Sequence, residues 1–188
     1  EGVLSYLPTV TKAGTRELMN HRATAMILNT GVPGMLEDAY RSGKPVIYGG
    51  TGNGPAFIER TADIRQAVRD IIASKTFDNG VVSAAEQSVV VDSCIDGEVR
   101  REFEANGAYF MTEEEADRLG KLFYFKDGNA NPEMAGKTAK DLAKWAKISV
   151  PENTRLLIAE QKYVSENNPY SKEKLCPVLS YFIEDDWM

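Results

Sequence analysis

Short apolar runs alternate with helical segments along this chain, and this alternation limits its fold more than any other feature. Ala25–Leu28 and Val46–Tyr48 each predict a buried strand. Between them, Pro33 suits the first turn of a helix and Gly43 suits its end. Such a β-α-β unit with short connections requires parallel strands. The same signals predict strands at 56–58, 88–91, 122–125, 155–158 and 178–183, and helices at 11–19, 63–76, 97–106 and 134–146. Thr112 and Glu115 predict a capping box that begins a further short helix. The chain is therefore predicted to be an α/β protein.

Composition excludes several classes of protein. The 188 residues are 43% hydrophobic and 27% charged, which is typical of a globular protein and not of a disordered one. The chain has a net charge of -6, whereas a nucleic-acid-binding protein typically carries a positive surface. The apolar runs are too short to cross a bilayer, and no signal peptide is visible. We therefore expect neither a nucleic acid nor a membrane as a partner.

Cysteine and histidine are scarce. Cys94 and Cys176 are the two cysteines and His21 is the single histidine, so a disulfide framework and a His/Cys zinc site are both disfavoured. Both cysteines are interpreted as structural or surface thiols, and His21 as a residue that caps a helix end. A reducing, cytoplasmic setting is favoured. The first and last residues, Glu1 and Met188, look like cuts through a longer protein.

Two glycine-rich segments are candidate ligand loops. Thr30–Met35 could bring a phosphate to backbone N–H groups at a helix start, but its spacing is not GxGxxG and by itself it favours a tight turn. Gly49–Gly54 has four glycines in six residues, yet lacks the Lys-Ser/Thr ending of a P-loop. Taken alone, this second segment suits a ligand loop and a linker between domains equally well.

Small residues around Ser83 lie between a D-N-G turn and a predicted strand. Ser83 could act as a nucleophile only beside a base, and no histidine is near it in the sequence. Its spacing alone favours a helix-capping hydroxyl. A serine hydrolase is disfavoured further, because the G-x-S-x-G pattern is absent.

The segment F-D-N-G-V-V-S-A-A-E-Q-S-V-V-V resembles the active-site segment of CoA-acylating aldehyde dehydrogenases, in which the position of Ser83 is a cysteine. The motifs T-G-V-P-G-M, S-G-K-P, G-T-G-N-G-P, E-R-T-A-D-I, V-P-E-N-T and K-E-K-L-C-P-V-L also resemble that family, in the same order. The resemblance spans essentially the whole chain. It implies oxidation of a small aldehyde by NAD or NADP, with transfer of the acyl group to coenzyme A through an enzyme thioester.

The resemblance implies specific roles for residues of this chain. Ser83 takes the place of the catalytic cysteine, and a serine hydroxyl lacks the thiolate that a thiol with a pKa of about 8.5 supplies. We therefore expect the chain to be inactive at that step. The implied cofactor-binding residues are Thr30, Gly31, Gly34, Gly49, Gly52 and Glu173. Without the resemblance, Glu173 would be one more solvated charge in the segment 171–174; the resemblance favours the cofactor-binding role. Gly49 stands where hydrolytic relatives place a glutamate base, which favours transfer to CoA over hydrolysis.

The resemblance also implies a domain organisation. Residues 1–50 would be the C-terminal part of an NAD-binding Rossmann domain, and residues 51–188 an incomplete catalytic domain. The complete protein would be a homo-oligomer in the cytoplasm or within a bacterial microcompartment, with no metal site. The alternative hypothesis is a non-catalytic relative that serves assembly or ligand binding, in which serine at position 83 is natural.

Overall fold

The computed structural model describes residues 2–30, 33–49, 52–125 and 130–185. The chain divides into two compact units, Glu1–Thr51 and Gly52–Met188. The assignment of these units to a dinucleotide-binding and a catalytic domain stays a prediction. Within the described ranges, none of the helices combines the length and the apolar character needed to cross a membrane.

The first unit contains one β-α-β arrangement preceded by a helix. Its elements are α1 (Lys12–Asn20), β1 (Ile27–Thr30), α2 (Pro33–Arg41) and β2 (Val46–Gly49). The two strands pair in parallel, as the short connection through α2 predicts. Their register places Thr30 opposite Gly49, so both strands end at one edge. Strand β1 begins two residues later than the predicted run from Ala25, at Ile27.

The second unit is a parallel sheet with helices on both faces. Its elements are β3 (Pro55–Ile58), α3 (Ile64–Thr76), β4 (Ser88–Asp92), α4 (Asp96–Ala105), β5 (Ala108–Phe110), α5 (Glu113–Gly120), α6 (Ala139–Trp145), β6 (Leu156–Glu160) and β7 (Val178–Glu184), with short 3-10 turns at Phe77–Gly80, Ser93–Ile95, Pro132–Met134 and Pro169–Ser171. The strand order is β3-β4-β7-β6-β5, and every pairing is parallel.

Alternate residues of the central strands supply two separate cores. In β6, Leu156 and Ile158 pack with residues of α3 and α4, whereas Leu157 packs with residues of α5 and α6. Successive side chains of a strand point to opposite faces, so a strand covered on both faces needs an unbroken apolar run. This explains why β6 and β7 show no polar alternation in the sequence.

Local sequence signals fix several helix starts. Asp63 caps α3 by accepting a hydrogen bond from the Gln66 N–H at 3.1 Å. Thr112 and Glu115 form the capping box of α5 that the sequence predicts. Thr138 begins α6 in the same way, with Asp141 as its partner. These caps stabilise the helix starts because they satisfy N–H groups that have no partner inside the helix.

Three predicted elements differ from the structure. Residues 122–125 were predicted as a strand, but only Tyr124 makes an isolated antiparallel bridge, to Ala130. The helix predicted over 134–146 begins only at Ala139, because Gly136 has a left-handed φ of 70° and Thr138 is the N-cap. No helix begins at Ser83, so the hydroxyl does not cap one: the chain passes through a turn into β4.

Candidate active site

Three segments meet at the amino ends of β3, β4 and β7, which are neighbours in the sheet. Residues 52–54 precede β3, residues 83–87 precede β4, and residues 172–177 precede β7. Because parallel strands begin at the same edge, the strand order brings together segments that are far apart in sequence. Three residues singled out from the sequence, Gly52, Ser83 and Glu173, lie in these segments.

Gly52 joins the other two residues. Its N–H donates a hydrogen bond to Oε1 of Glu173 at 3.0 Å. A Cβ atom at Gly52 would overlap the carbonyl oxygen of Ser83 and lie 2.6 Å from its carbonyl carbon. Only glycine permits this approach. Glu173 is therefore a partly buried, hydrogen-bonded carboxylate and not a free surface charge.

Neighbouring hydrogen bonds hold the loop that contains Gly52. The Asn53 side-chain amide donates to the carbonyl of Ser171 at 2.9 Å. The carbonyl of Gly54 accepts from the N–H of Gln87 at 2.9 Å. The loop is thus fixed to the segment before β4 and to the segment before β7.

A turn with unusual backbone conformation leads to Ser83. Asp78 and Asn79 have left-handed φ values of 48° and 51°, and Gly80 follows with a φ of 75°. Asn79 donates its side-chain amide to the carbonyl of Gly136 at 3.0 Å. A Cβ atom at Gly80 would lie 2.6 Å from the carbonyl carbon of Cys176. The turn is therefore held against the segment before β7, and it ends at Ser83, which is exposed to solvent.

Apolar side chains flank Ser83. Val81 and Val82 are each 38% exposed, and Phe77 at the start of the same turn is 68% exposed. Val81 and Val82 directly precede Ser83 in the chain, so exposed apolar side chains adjoin the serine.

The structure reveals a buried polar cluster that the sequence interpretation missed. Lys75 and Gln87 have no exposed surface, and Lys174 is 2% exposed. Burial lowers the pKa of Lys75 to about 8. Burial, together with the charge of Lys75, lowers the pKa of Lys174 to about 7. In the described part of the chain, no carboxylate forms a salt bridge with either ammonium group.

A signal for one member of this cluster exists in the sequence. Helix α3 buries Val68, Ile71, Ile72 and Lys75, which are spaced as one face of a helix. Lys75 continues the apolar stripe, and a lysine on such a stripe is a candidate buried cation. Lys174 lies outside regular structure, so no periodicity identifies it.

The first unit contains the other candidate cofactor residues. Thr30 and Gly49 lie opposite each other at the carboxyl ends of β1 and β2, and Gly34 lies in the first turn of α2. A Cβ atom at Gly34 or Gly49 would meet no atom within 4 Å, so both glycines border open space. Gly31 lies outside the described residues.

Neither cysteine is suited to replace Ser83. Cys94 is exposed, and its hydrogen bond to Asp92 raises the pKa of the thiol. Cys176 is buried, and burial raises the pKa of its thiol to about 11.

His21 follows α1 as its C-cap residue, and its Nδ1 accepts a hydrogen bond from the N–H of Ala23 at 3.2 Å. Among the described residues, no three acidic, cysteine or histidine side chains are placed to hold a metal ion.

A separate concave region of about 960 Å³ lies between α5 and the segment that follows β6. Asp117, Tyr124, Gln161 and Tyr170 are among its lining residues. It contains none of the candidate site residues, so we do not assign the active site to it.

Comparison with known proteins identifies the family. The sequence profile described as "Aldehyde dehydrogenase family" matches residues 1–118. An aldehyde-alcohol dehydrogenase from Clostridium acetobutylicum is 44% identical over 160 residues, which make up 85% of this chain and 18% of that protein. The crystal structure of an acetylating aldehyde dehydrogenase from Geobacillus thermoglucosidasius is 41% identical with a TM-score of 0.86, covering 93% of this chain and 38% of that one.

A third relative was solved with its ligand. It is a propionaldehyde dehydrogenase from Rhodopseudomonas palustris with bound CoA and an acylated cysteine, 26% identical, with a TM-score of 0.80 over 93% of this chain and 40% of that chain. This chain thus spans about one fifth of the curated relative's length and about two fifths of each solved chain. From the profile match and these relatives, we conclude that the chain belongs to the aldehyde dehydrogenase family, with acylating members among its relatives.

Proposed function

We propose that this chain is a segment of an NAD(P)-dependent, CoA-acylating aldehyde dehydrogenase. The complete enzyme would convert an aldehyde, NAD(P)+ and coenzyme A into an acyl-CoA, NAD(P)H and a proton. The observation that carries the proposal is the meeting of the Ser83 turn, Gly52 and Glu173 at the amino ends of three adjacent parallel strands. The exposed apolar residues beside Ser83 suit a small aldehyde.

Ser83 occupies the proposed nucleophile position. In a competent enzyme, a thiolate there would bond to the aldehyde carbon, the thioester would form when that carbon loses a hydride, and CoA would displace the enzyme thiol. A serine hydroxyl is almost fully protonated at neutral pH and has no histidine near it in sequence. We propose that the chain with Ser83 is therefore inactive. Neither Cys94 nor Cys176 is suited to act as the nucleophile in its place.

We propose that the candidate cofactor residues contact a nicotinamide dinucleotide in the complete enzyme. The space beside Gly34 and Gly49 permits close approach of a phosphate or a ribose to the backbone. Oε1 of Glu173 accepts a hydrogen bond from the Gly52 N–H. We propose that the other carboxylate oxygen accepts a hydrogen bond from a ribose hydroxyl of the cofactor. We assign Thr30, Gly31, Gly34, Gly49, Gly52 and Glu173 to the cofactor. When bound, the nicotinamide supplies the hydride acceptor.

Gly49 bears on the choice between CoA and water. A glycine has no carboxylate with which to activate water, so this position supplies no general base for thioester hydrolysis. The absence of that carboxylate at Gly49 supports CoA as the acyl acceptor.

The substitution Ser83→Cys in the complete polypeptide tests the proposal. We expect it to produce NADH from NAD+ only when both acetaldehyde and CoA are present, while the serine form produces none. The control is Ala84→Cys, which places a thiol one residue away in the same exposed turn. A folded Ser83→Cys protein that forms no NADH with a panel of short aldehydes would overturn the proposal, as would equal activity of the control.

A second function is favoured by Ser83 itself. A gene that encodes serine at position 83 is expected of a non-catalytic relative that binds a ligand or supports assembly. Sequencing the source gene separates the two: a cysteine codon at position 83 excludes a naturally non-catalytic protein, and a serine codon favours it.

We further propose a homo-oligomer in the cytoplasm or within a microcompartment. Sedimentation and cell fractionation of the complete protein test this assignment.

A further inference from the structure

We propose that Lys75 and Gln87 are positioning residues for Glu173, holding its carboxylate where the cofactor ribose binds. The inference rests on the proposed function, in which Glu173 contacts the cofactor. It assigns a role to a buried cluster that lies behind the site. Neither residue is itself placed against the cofactor.

The backbone of Lys174, the residue after Glu173, is hydrogen-bonded at both of its polar groups. The Lys75 ammonium donates one hydrogen bond to Oε1 of Gln87 and one to the carbonyl of Lys174, each at 2.9 Å. The same Gln87 oxygen accepts from the N–H of Lys174, also at 2.9 Å. The N–H and the carbonyl of Lys174 are thus hydrogen-bonded to Gln87, which directly precedes β4, and to Lys75 of α3.

Residues before Glu173 are held by a second set of hydrogen bonds. The Lys174 ammonium donates to the carbonyls of Tyr170 and Lys172, at 3.0 Å and 2.9 Å. The hydroxyl of Ser180 donates to the same Tyr170 carbonyl at 2.6 Å. The backbone is therefore fixed on both sides of Glu173, whose carboxylate extends from this turn to the N–H of Gly52.

The cost of the arrangement argues for a specific role. Two ammonium groups are buried with neutral oxygen acceptors, and each depressed pKa reflects the penalty of removing the charge from water. Apolar side chains of similar volume often stabilise a buried site as well as charged ones do. What the lysines add is directional hydrogen bonding to three carbonyls and one side-chain oxygen around a single turn.

A double-mutant cycle with Lys75→Met and Glu173→Gln tests the inference. The readout is the Kd of NADH, measured by its fluorescence with the unsubstituted Ser83 protein, so that no turnover is needed. We expect each single substitution to raise the Kd about tenfold, which equals about 1.4 kcal/mol. The double variant should bind no more weakly than Glu173→Gln alone, because Lys75 acts through Glu173.

Matched controls separate positioning from folding. Gln87→Glu keeps an acceptor oxygen for Lys75 and Lys174 and should retain NADH affinity, whereas Gln87→Leu should lose about as much as Lys75→Met. Lys121→Met removes an exposed lysine that pairs with Asp117 and should change nothing. If Lys75→Met does not fold, the two Gln87 variants still decide the question.

The outcomes distinguish this inference from the proposed function. Absence of NADH binding, or an unchanged Kd in Glu173→Gln, overturns the proposed cofactor role and this inference with it. A weakened Glu173→Gln combined with an unchanged Lys75→Met, or with additive effects in the double variant, overturns the positioning role alone.

Discussion

Replacing Gly52 by alanine tests the geometry of the candidate site most sharply. The added Cβ would lie 2.6 Å from the carbonyl carbon of Ser83 and 3.0 Å from Oε1 of Glu173. Because carbon atoms in contact lie about 3.5–4.0 Å apart, and the same Cβ would overlap the carbonyl oxygen of Ser83, the loop or the Ser83 turn must move by more than roughly 1 Å. That movement breaks the hydrogen bond between the Gly52 N–H and Glu173.

The expected losses follow from this displacement. Overpacking of this kind costs about 1–3 kcal/mol of the free energy of unfolding. A misplacement of about 1 Å at a reacting group costs about a hundredfold in rate. The assays are thermal unfolding and aldehyde- and CoA-dependent NADH formation in the Ser83→Cys background.

Gly54→Ala is the matched control, because a Cβ there meets no atom within 4 Å and its φ is not left-handed. It should retain stability and activity. A Gly52→Ala protein with unchanged activity and unfolding temperature would refute the close approach of this loop to Ser83.

Three further predictions concern stability. The pKa values of Lys75 and Lys174 are about 8 and about 7 in the folded chain, below the value of about 10.4 expected on unfolding, so the unfolded state binds more protons between about pH 7 and pH 10. The free energy of unfolding should therefore rise from about pH 7 to about pH 8.5, and Lys174→Met should reduce the rise, as urea titrations at several pH values would measure; above about pH 8.5 the raised thiol pKa values of Cys94 and Cys176 act in the opposite direction. Gly80→Ala should cost more than Gly43→Ala: both pay about 1–2 kcal/mol for a left-handed alanine, but only at Gly80 would the Cβ also meet main-chain atoms. Thr112→Ala removes the capping box of α5 and should cost about 1 kcal/mol, measured by denaturant unfolding.

Each of these predictions has a contradicting result. A free energy of unfolding that is flat or falls from about pH 7 to about pH 8.5 contradicts the burial of two lysines. Equal losses in the two glycine variants contradict the contact behind Gly80. An unchanged midpoint in Thr112→Ala would show that water replaces the cap without loss.

Local sequence signals predicted much of the fold. The β-α-β alternation, the helix that begins at Asp63 and the Thr112–Glu115 capping box depend on neighbouring residues, and the structure confirms them. Strand β5 was missed because it is only three residues long. The helix expected from Met134 begins later because the left-handed Gly136 interrupts it, and the apolar residues there do not reveal this.

The assembly of the site depends on strand order, which no local pattern encodes. Gly52 and Glu173 are 121 positions apart and touch because β3, β4 and β7 are neighbours. The family resemblance supplied these residues as candidates, and spacing alone left Ser83 as a helix cap. The periodicity of α3 could have identified Lys75, whereas the burial of Lys174 follows only from the packing of the turn before β7.

The acyl-enzyme itself tests the central claim most directly. The complete polypeptide with Ser83→Cys is incubated with acetaldehyde and NAD+ in the absence of CoA, and its intact mass is measured. We expect an acetyl adduct on the introduced cysteine that forms only with NAD+ and that CoA removes as acetyl-CoA. A protein that binds NADH yet acquires no adduct, or an adduct that forms equally in Ala84→Cys, would contradict the assignment of position 83 as the nucleophile.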